Sequence, residues 1–128
     1  MKSPHLSAQI EAAFPASVGV LSDQFIEAHP DLSRLDASVD LHAAVPAYMA
    51  WCARNGHRPA ELVHDYTVDA LAVFGRSRKP ELAPLNFKFT CSPEQRQVVV
   101  NFLQWCLDPA LLLDTEQVER SLKRWSAG

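Results

Sequence analysis

The chain is poor in the residues from which several kinds of site are built. Its 128 residues include only four glycines, widely scattered, so there is no Gly-rich run to cradle a phosphate. It contains neither a Gly-x-Ser-x-Gly elbow nor a Cys-x-x-Cys pair, and nothing in it argues for a cofactor. The three cysteines, Cys52, Cys91 and Cys106, are odd in number and far apart, which suits neither a disulfide framework nor a zinc ribbon. They read as reduced thiols in a cytoplasmic protein. Gln9 and Glu11 interrupt the apolar positions near the N-terminus, unlike the continuous run of a signal peptide. The longest uncharged stretch, Leu41 to Ala53, covers thirteen residues and contains Pro46, short of the roughly 20 needed to cross a bilayer. A basic excess is missing too: the formal charge is -3. Neither a membrane nor nucleic acid is expected as a partner.

What is present is an ordinary globular composition, 48% hydrophobic and 21% charged, at a length that supports one self-sufficient core. The expectation is a single all-α domain over residues 1–128, a compact bundle of about six helices. The first, Ser7 to Phe14, sets Ile10 and Phe14 one turn apart and stops at Pro15. The second opens on Ser22 and ends before Pro30. Both are expected to lie over the core. The third, Asp36 to Arg54, carries Leu41, Val45, Tyr48 and Cys52 in one stripe; it is expected to be kinked or broken at Pro46 and closed by Gly56. Pro59 opens a fourth helix running to Gly75. Leu85, Phe87 and Phe89 alternate with polar residues, which predicts a short extended segment near 85–90 that inserts two phenylalanines into the core. Ser92, Pro93 and Gln95 form a Ser-x-x-Gln capping box at the head of a fifth, largely apolar helix. Asp114 caps the last helix, where Glu116 with Arg120 and Glu119 with Lys123 are spaced for ion pairs. The 41–53 and 92–107 segments are expected to pack on each other.

Polar faces remain for contact with other molecules. Glu61, Asp65 and Asp69 recur at i, i+4 and i+8 on the fourth helix, an acidic ridge for a basic partner or simply a solvated face. Gln97, Asn101 and Gln104 make a neutral ridge on the fifth; amides are cheaper to desolvate than charges, so a homodimer could form there. The loop Arg76, Ser77, Arg78, Lys79 follows the C-terminus of the fourth helix, where the helix dipole favours cations.

Two local arrangements carry possible chemistry. His64 and Asp65 form an adjacent pair of the kind used by metal-dependent phosphohydrolases of the HD type, with His29, His42, Asp108 and Asp114 as the residues that could complete a ligand set. The plainer reading is a chance dipeptide, His64 at the edge of the helix's apolar half and Asp65 on the acidic ridge, because a metal site needs several convergent groups. Cys91 stands just before a helix N-terminus, where a thiol's pKa is lowered; the plainer reading is a buried cysteine.

Val45, Pro46, Ala47, Tyr48, Met49 and Trp51, followed downstream by Ser92, Pro93, Glu94, Gln95, Val99, Phe102 and Leu103, resemble an uncharacterised family of small bacterial proteins of unknown function. The resemblance implies a helical fold and a bacterial source, and carries no activity with it. Charge is split along the chain: residues 1–75 hold nine acidic and four basic side chains, residues 76–128 six acidic and eight basic. Such asymmetry steers association. Together with the missing catalytic constellation it points to a non-enzymatic protein-binding module, such as an immunity or antitoxin-like protein. The competing expectations are an HD-type hydrolase and a structural homodimer.

Overall fold

The computed structural model describes residues 4–36, 38–58 and 61–127, and every regular element among them is helical. The order is α1 (Pro4–Ala13), α2 (Asp23–Ala28), α3 (Leu41–Arg54), α4 (Leu62–Val73), α5 (Phe87–Thr90), α6 (Pro93–Trp105) and α7 (Thr115–Ser126), with single 3-10 turns at Pro15–Ser17, Leu32–Arg34 and Pro109–Leu111. No helix among the described residues is long and apolar enough to cross a membrane.

Short polar side chains fix the helix starts by accepting from backbone N–H groups that have no partner inside the helix. Ser22 Oγ accepts from Phe25 N at 3.0 Å, Asp40 Oδ1 from His42 N at 3.0 Å, and Asp114 Oδ1 from Glu116 N at 3.0 Å. The Ser92 box closes in both directions, Gln95 N to Ser92 Oγ at 3.1 Å and Ser92 N to Gln95 Oε1 at 2.9 Å. Gln95 then spends its Nε2 on the Ala13 carbonyl at 3.0 Å, which ties the head of α6 to the end of α1.

α3 is the enclosed element: every residue from Ala43 to Ala53 is buried. It packs mainly against α1, which also lies on α6, while α7 closes over α4 and α6. One apolar cluster includes Ile10, Phe14, Tyr48, Trp51, Leu71 and Phe102. At about 1.5–3 kcal/mol for each fully buried large side chain, this cluster dominates stability. Three large side chains carry polar atoms inward to partners: Tyr48 OH donates to His29 O at 2.6 Å, Trp51 Nε1 to Glu27 Oε2 at 3.2 Å, and Trp125 Nε1 to Leu71 O at 2.7 Å.

Several expectations need correction. α1 lies over the core with one face buried, as expected, but it also bridges α3 and α6, and the contact expected directly between the 41–53 and 92–107 segments is made largely through it. α3 starts at Leu41, not Asp36, and runs unbroken through Pro46. The proline sits in the second turn, where it forfeits only the bond to the His42 carbonyl. Asn55, not Gly56, caps its end: the Asn55 N–H reaches Trp51 O and Cys52 O, and Nδ2 donates to Trp51 O at 2.9 Å. α4 begins at Leu62 after Glu61; Pro59 lies outside the described residues. The stretch near 85–90 winds into helix α5. There Phe87 and Lys88 are buried and Phe89 is only partly so, because the Lys88 ammonium finds carbonyl partners at the end of α7. Arg120 and Lys123 are in none of the ion pairs among the described residues, so the pairs spaced for them along α7 do not form.

Candidate functional site

The acidic ridge divides in two. Glu61 accepts from Arg58 at 3.2 Å, and the same guanidinium reaches Glu27 at 3.3 Å. Glu61 is thus engaged with Arg58, which also reaches Glu27 of α2. Asp65 and Asp69, one and two turns further, are in none of the ion pairs among the described residues. The packing of α7 on α4 adds Asp114, which the sequence places forty-five residues beyond Asp69. Burial holds the Asp65 carboxyl above its ordinary value; His64 beside it pulls the other way, and Asp69 and Asp114 add repulsion. The opposite treatment is seen near α1 and α2, where Arg54 pairs with Asp23 at 3.0 Å and Glu11 at 3.9 Å.

On α6, Gln97 Nε2 donates to Asn101 Oδ1 at 2.9 Å, so two of the three amides partly satisfy each other. Gln104 is exposed one turn further on.

His64 is only 1% exposed and sits edge-on to Trp51, ring centroids 5.5 Å apart. Neither ring nitrogen has a hydrogen-bond partner. Burial lowers its pKa, against weaker upward pulls from the Glu61 and Cys52 backbones and from the Asp65 and Glu61 carboxylates. The imidazole is therefore neutral and sealed from solvent. Its possible co-ligands are occupied elsewhere: Asp108 Oδ1 caps the turn at Ala110, Asp114 caps α7, and His29 stacks on Phe25 at 4.5 Å. Among the described residues no three His, Cys, Asp or Glu side chains are grouped to hold a metal. Cys91 is buried, and desolvation pushes its thiol up to about 12 in spite of Arg96 nearby. Burial likewise takes Cys52 to about 12 and Cys106 well above its ordinary value. None of the three is a thiolate at neutral pH.

Two clefts open between the helices. The first, about 540 Å³, has apolar walls from Leu32, Leu35, Phe74 and Phe87, with His42 and Thr90 among its lining. Thr90 Oγ1 donates to Phe87 O at 2.7 Å, so in the 2.9 Å contact with His42 the imidazole Nε2 must be the donor.

The second cleft, about 470 Å³, lies between the end of α4, α5 and the C-terminal half of α7. It is lined by Arg78, Lys88, Arg120, Lys123 and Arg124 around Phe89, with no carboxylate side chain among the described lining residues. The cations Lys88, Arg120, Lys123 and Arg124 escape a reading of the sequence as a group, because they lie on two helices that only the tertiary fold brings together. The basic 76–79 loop and the charge split were its only sequence signals.

No family model, no curated protein and no solved structure matches this chain.

Proposed function

We propose that this chain is a non-enzymatic binding protein that docks a partner protein of basic surface against the face formed by Asp65, Asp69 and Asp114, in the manner of an immunity or antitoxin-like protein. The observation that carries this reading is that carboxylates from α4 and from the head of α7 repel one another across one face and are in none of the ion pairs among the described residues. Their repulsion opposes the free protein's stability, and a docked Lys or Arg relieves it. The neutral, enclosed imidazole of His64 and the three protonated thiols leave recognition, rather than group transfer, as the chemistry this surface offers.

Because docking a cation lowers the raised pKa of Asp65, association releases protons and strengthens as pH rises through that titration. The test is affinity capture from a lysate of the source organism at low salt, comparing the native chain with Asp65→Asn/Asp69→Asn. The expected result is a basic protein retained by the native chain and lost from the variant. Retention of the same proteins by both would overturn the proposal.

A further inference from the structure

The cationic cleft is not used by the acidic-face reading and stands independently of it. Part of its make-up has a plain structural cause. Lys88 Nζ donates to Arg124 O at 2.8 Å and to Ala127 O, Arg124 Nη1 donates to Ala72 O at 2.9 Å, and Lys123 and Arg124 occupy the last turn of α7, where the helix dipole favours cations. These contacts account for why Lys88 and Arg124 are there. They do not account for Arg120, which stands a turn earlier and is in none of the ion pairs among the described residues. Five like charges around one concavity repel one another; burial first, then Arg96 and Arg78, holds the Lys88 ammonium below its ordinary pKa.

The cations are also held in place. Arg78 Cζ lies 4.6 Å from the Phe89 ring centroid, Lys88 Nζ 5.0 Å and Arg96 Cζ 5.7 Å, while Arg96 Nε donates to Lys88 O at 3.1 Å. A guanidinium stacked on a ring loses less freedom when it captures an anion. A concave site of one sign with low-dielectric walls also focuses its potential.

We propose that this cleft binds a polyphosphate, its phosphate chain lying between Arg78, Arg120 and Lys123 at the mouth, with Arg124 and the buried Lys88 at the floor. One phosphate carries about two negative charges, too few to balance five cations spread over about 470 Å³; a chain of phosphates matches both the charge and the space. No carboxylate side chain among the described lining residues offers a partner to a cationic group on the ligand. Nucleic acid fits less well: backbone tracking needs a continuing basic stripe, whereas this cluster is confined to one cleft on a chain of net charge -3. Inorganic polyphosphate and a nucleoside polyphosphate share the recognised chemistry.

The experiment is isothermal titration of the full chain at low salt with inorganic tripolyphosphate, ATP, sulfate and a short single-stranded RNA. Comparison variants are Arg120→Gln/Lys123→Gln, which alters two exposed side chains on α7, and Arg34→Gln, an exposed cation outside the cleft. The expected result is 1:1 binding of tripolyphosphate, weakened at least about tenfold in the α7 double variant, since charge-assisted contacts are lost, and unchanged in Arg34→Gln. Circular dichroism of the double variant should match the native chain. Tighter binding of ATP than of tripolyphosphate assigns the nucleoside form; equal or weaker binding assigns the inorganic chain. The proposal is overturned by absence of binding to both at about 1 mM ligand, by sulfate binding as tightly, by equal weakening in Arg34→Gln, or by RNA outcompeting both.

Discussion

The buried ammonium of Lys88 donates to the backbone carbonyl of Arg124 at 2.8 Å, joining a one-turn helix to the end of the last helix across thirty-six positions of sequence. A second bond to Ala127 O and the Lys88 N–H to Phe74 O at 2.9 Å make this residue the clasp between α4, α5 and α7. Replacing Lys88 by Met keeps the stem's packing and removes the donors. Losing hydrogen bonds to a charged group costs about 1.5–3 kcal/mol, but relief of repulsion from Arg78 and Arg96 offsets part of it. The expected outcome is a loss of about 1 kcal/mol in urea unfolding, with faster amide exchange confined to the last turn of α7.

His64 makes the fold sensitive to mild acid. Its pKa is lowered in the folded state, so the unfolded chain binds a proton that the folded chain refuses. This group costs nothing well above the ordinary histidine value of about 6.5 and destabilises progressively as pH falls below it, by at most about 1.4 kcal/mol per pH unit. His64→Leu should stay within about 1 kcal/mol of the native chain at pH 8, losing the edge contact with Trp51 but also two unpaired nitrogens. Between pH 7 and pH 5 its unfolding free energy should fall less than that of the native chain.

Asp69 and Asp114 both push the Asp65 pKa up. A carboxyl with a raised folded pKa favours the fold when protonated, so its contribution improves as pH falls through that value and is unfavourable at neutral pH. Asp69→Asn should therefore raise stability at pH 7 by about 0.2–0.5 kcal/mol, the size of a like-charge pair one turn apart, and bring the Asp65 titration, followed by carboxyl NMR shifts, back down.

Ser92→Ala removes the acceptor of Gln95 N and leaves that N–H at the head of α6 without its cap. Denaturant unfolding should show a loss of about 1 kcal/mol. Gln95→Ala should add loss of the tie to the Ala13 carbonyl, and hydrogen exchange should report it at the end of α1.

The thiols of Cys52, Cys91 and Cys106 are all buried, and burial raises their pKa values. Iodoacetamide at pH 8 should leave the folded protein largely unmodified and alkylate all three once denaturant is added. Rapid modification of Cys91 in the folded chain would contradict its geometry.

Features governed by near neighbours were legible in the sequence. The Ser92 and Gln95 box, the caps at Ser22 and Asp114, and the buried stripe through Val45, Tyr48 and Cys52 depend on residues within a turn or two. What was not legible depended on distant partners. Lys88 reads as the polar member of an alternating strand until the carbonyls of residues 124 and 127 are brought to it. α1 is too short to look like a bridge, yet it buries Leu6 and Ile10 and packs on both α3 and α6. The ridge through Glu61, Asp65 and Asp69 was visible as a helical spacing, but the capture of Glu61 by Arg58 and the arrival of Asp114 were not. His64, placed by spacing at the edge of an apolar half, turns out enclosed because Trp51 of the neighbouring helix covers it.

The acidic face is tested most directly by hydrogen exchange on the complex with the captured basic partner, read peptide by peptide against the free chain. Protection concentrated over residues 62–73 and 114–118, and absent over α1 and α2, is the result expected. Protection confined to α6 or to the Arg54 side of the molecule, with 62–73 exchanging as in the free protein, would contradict it.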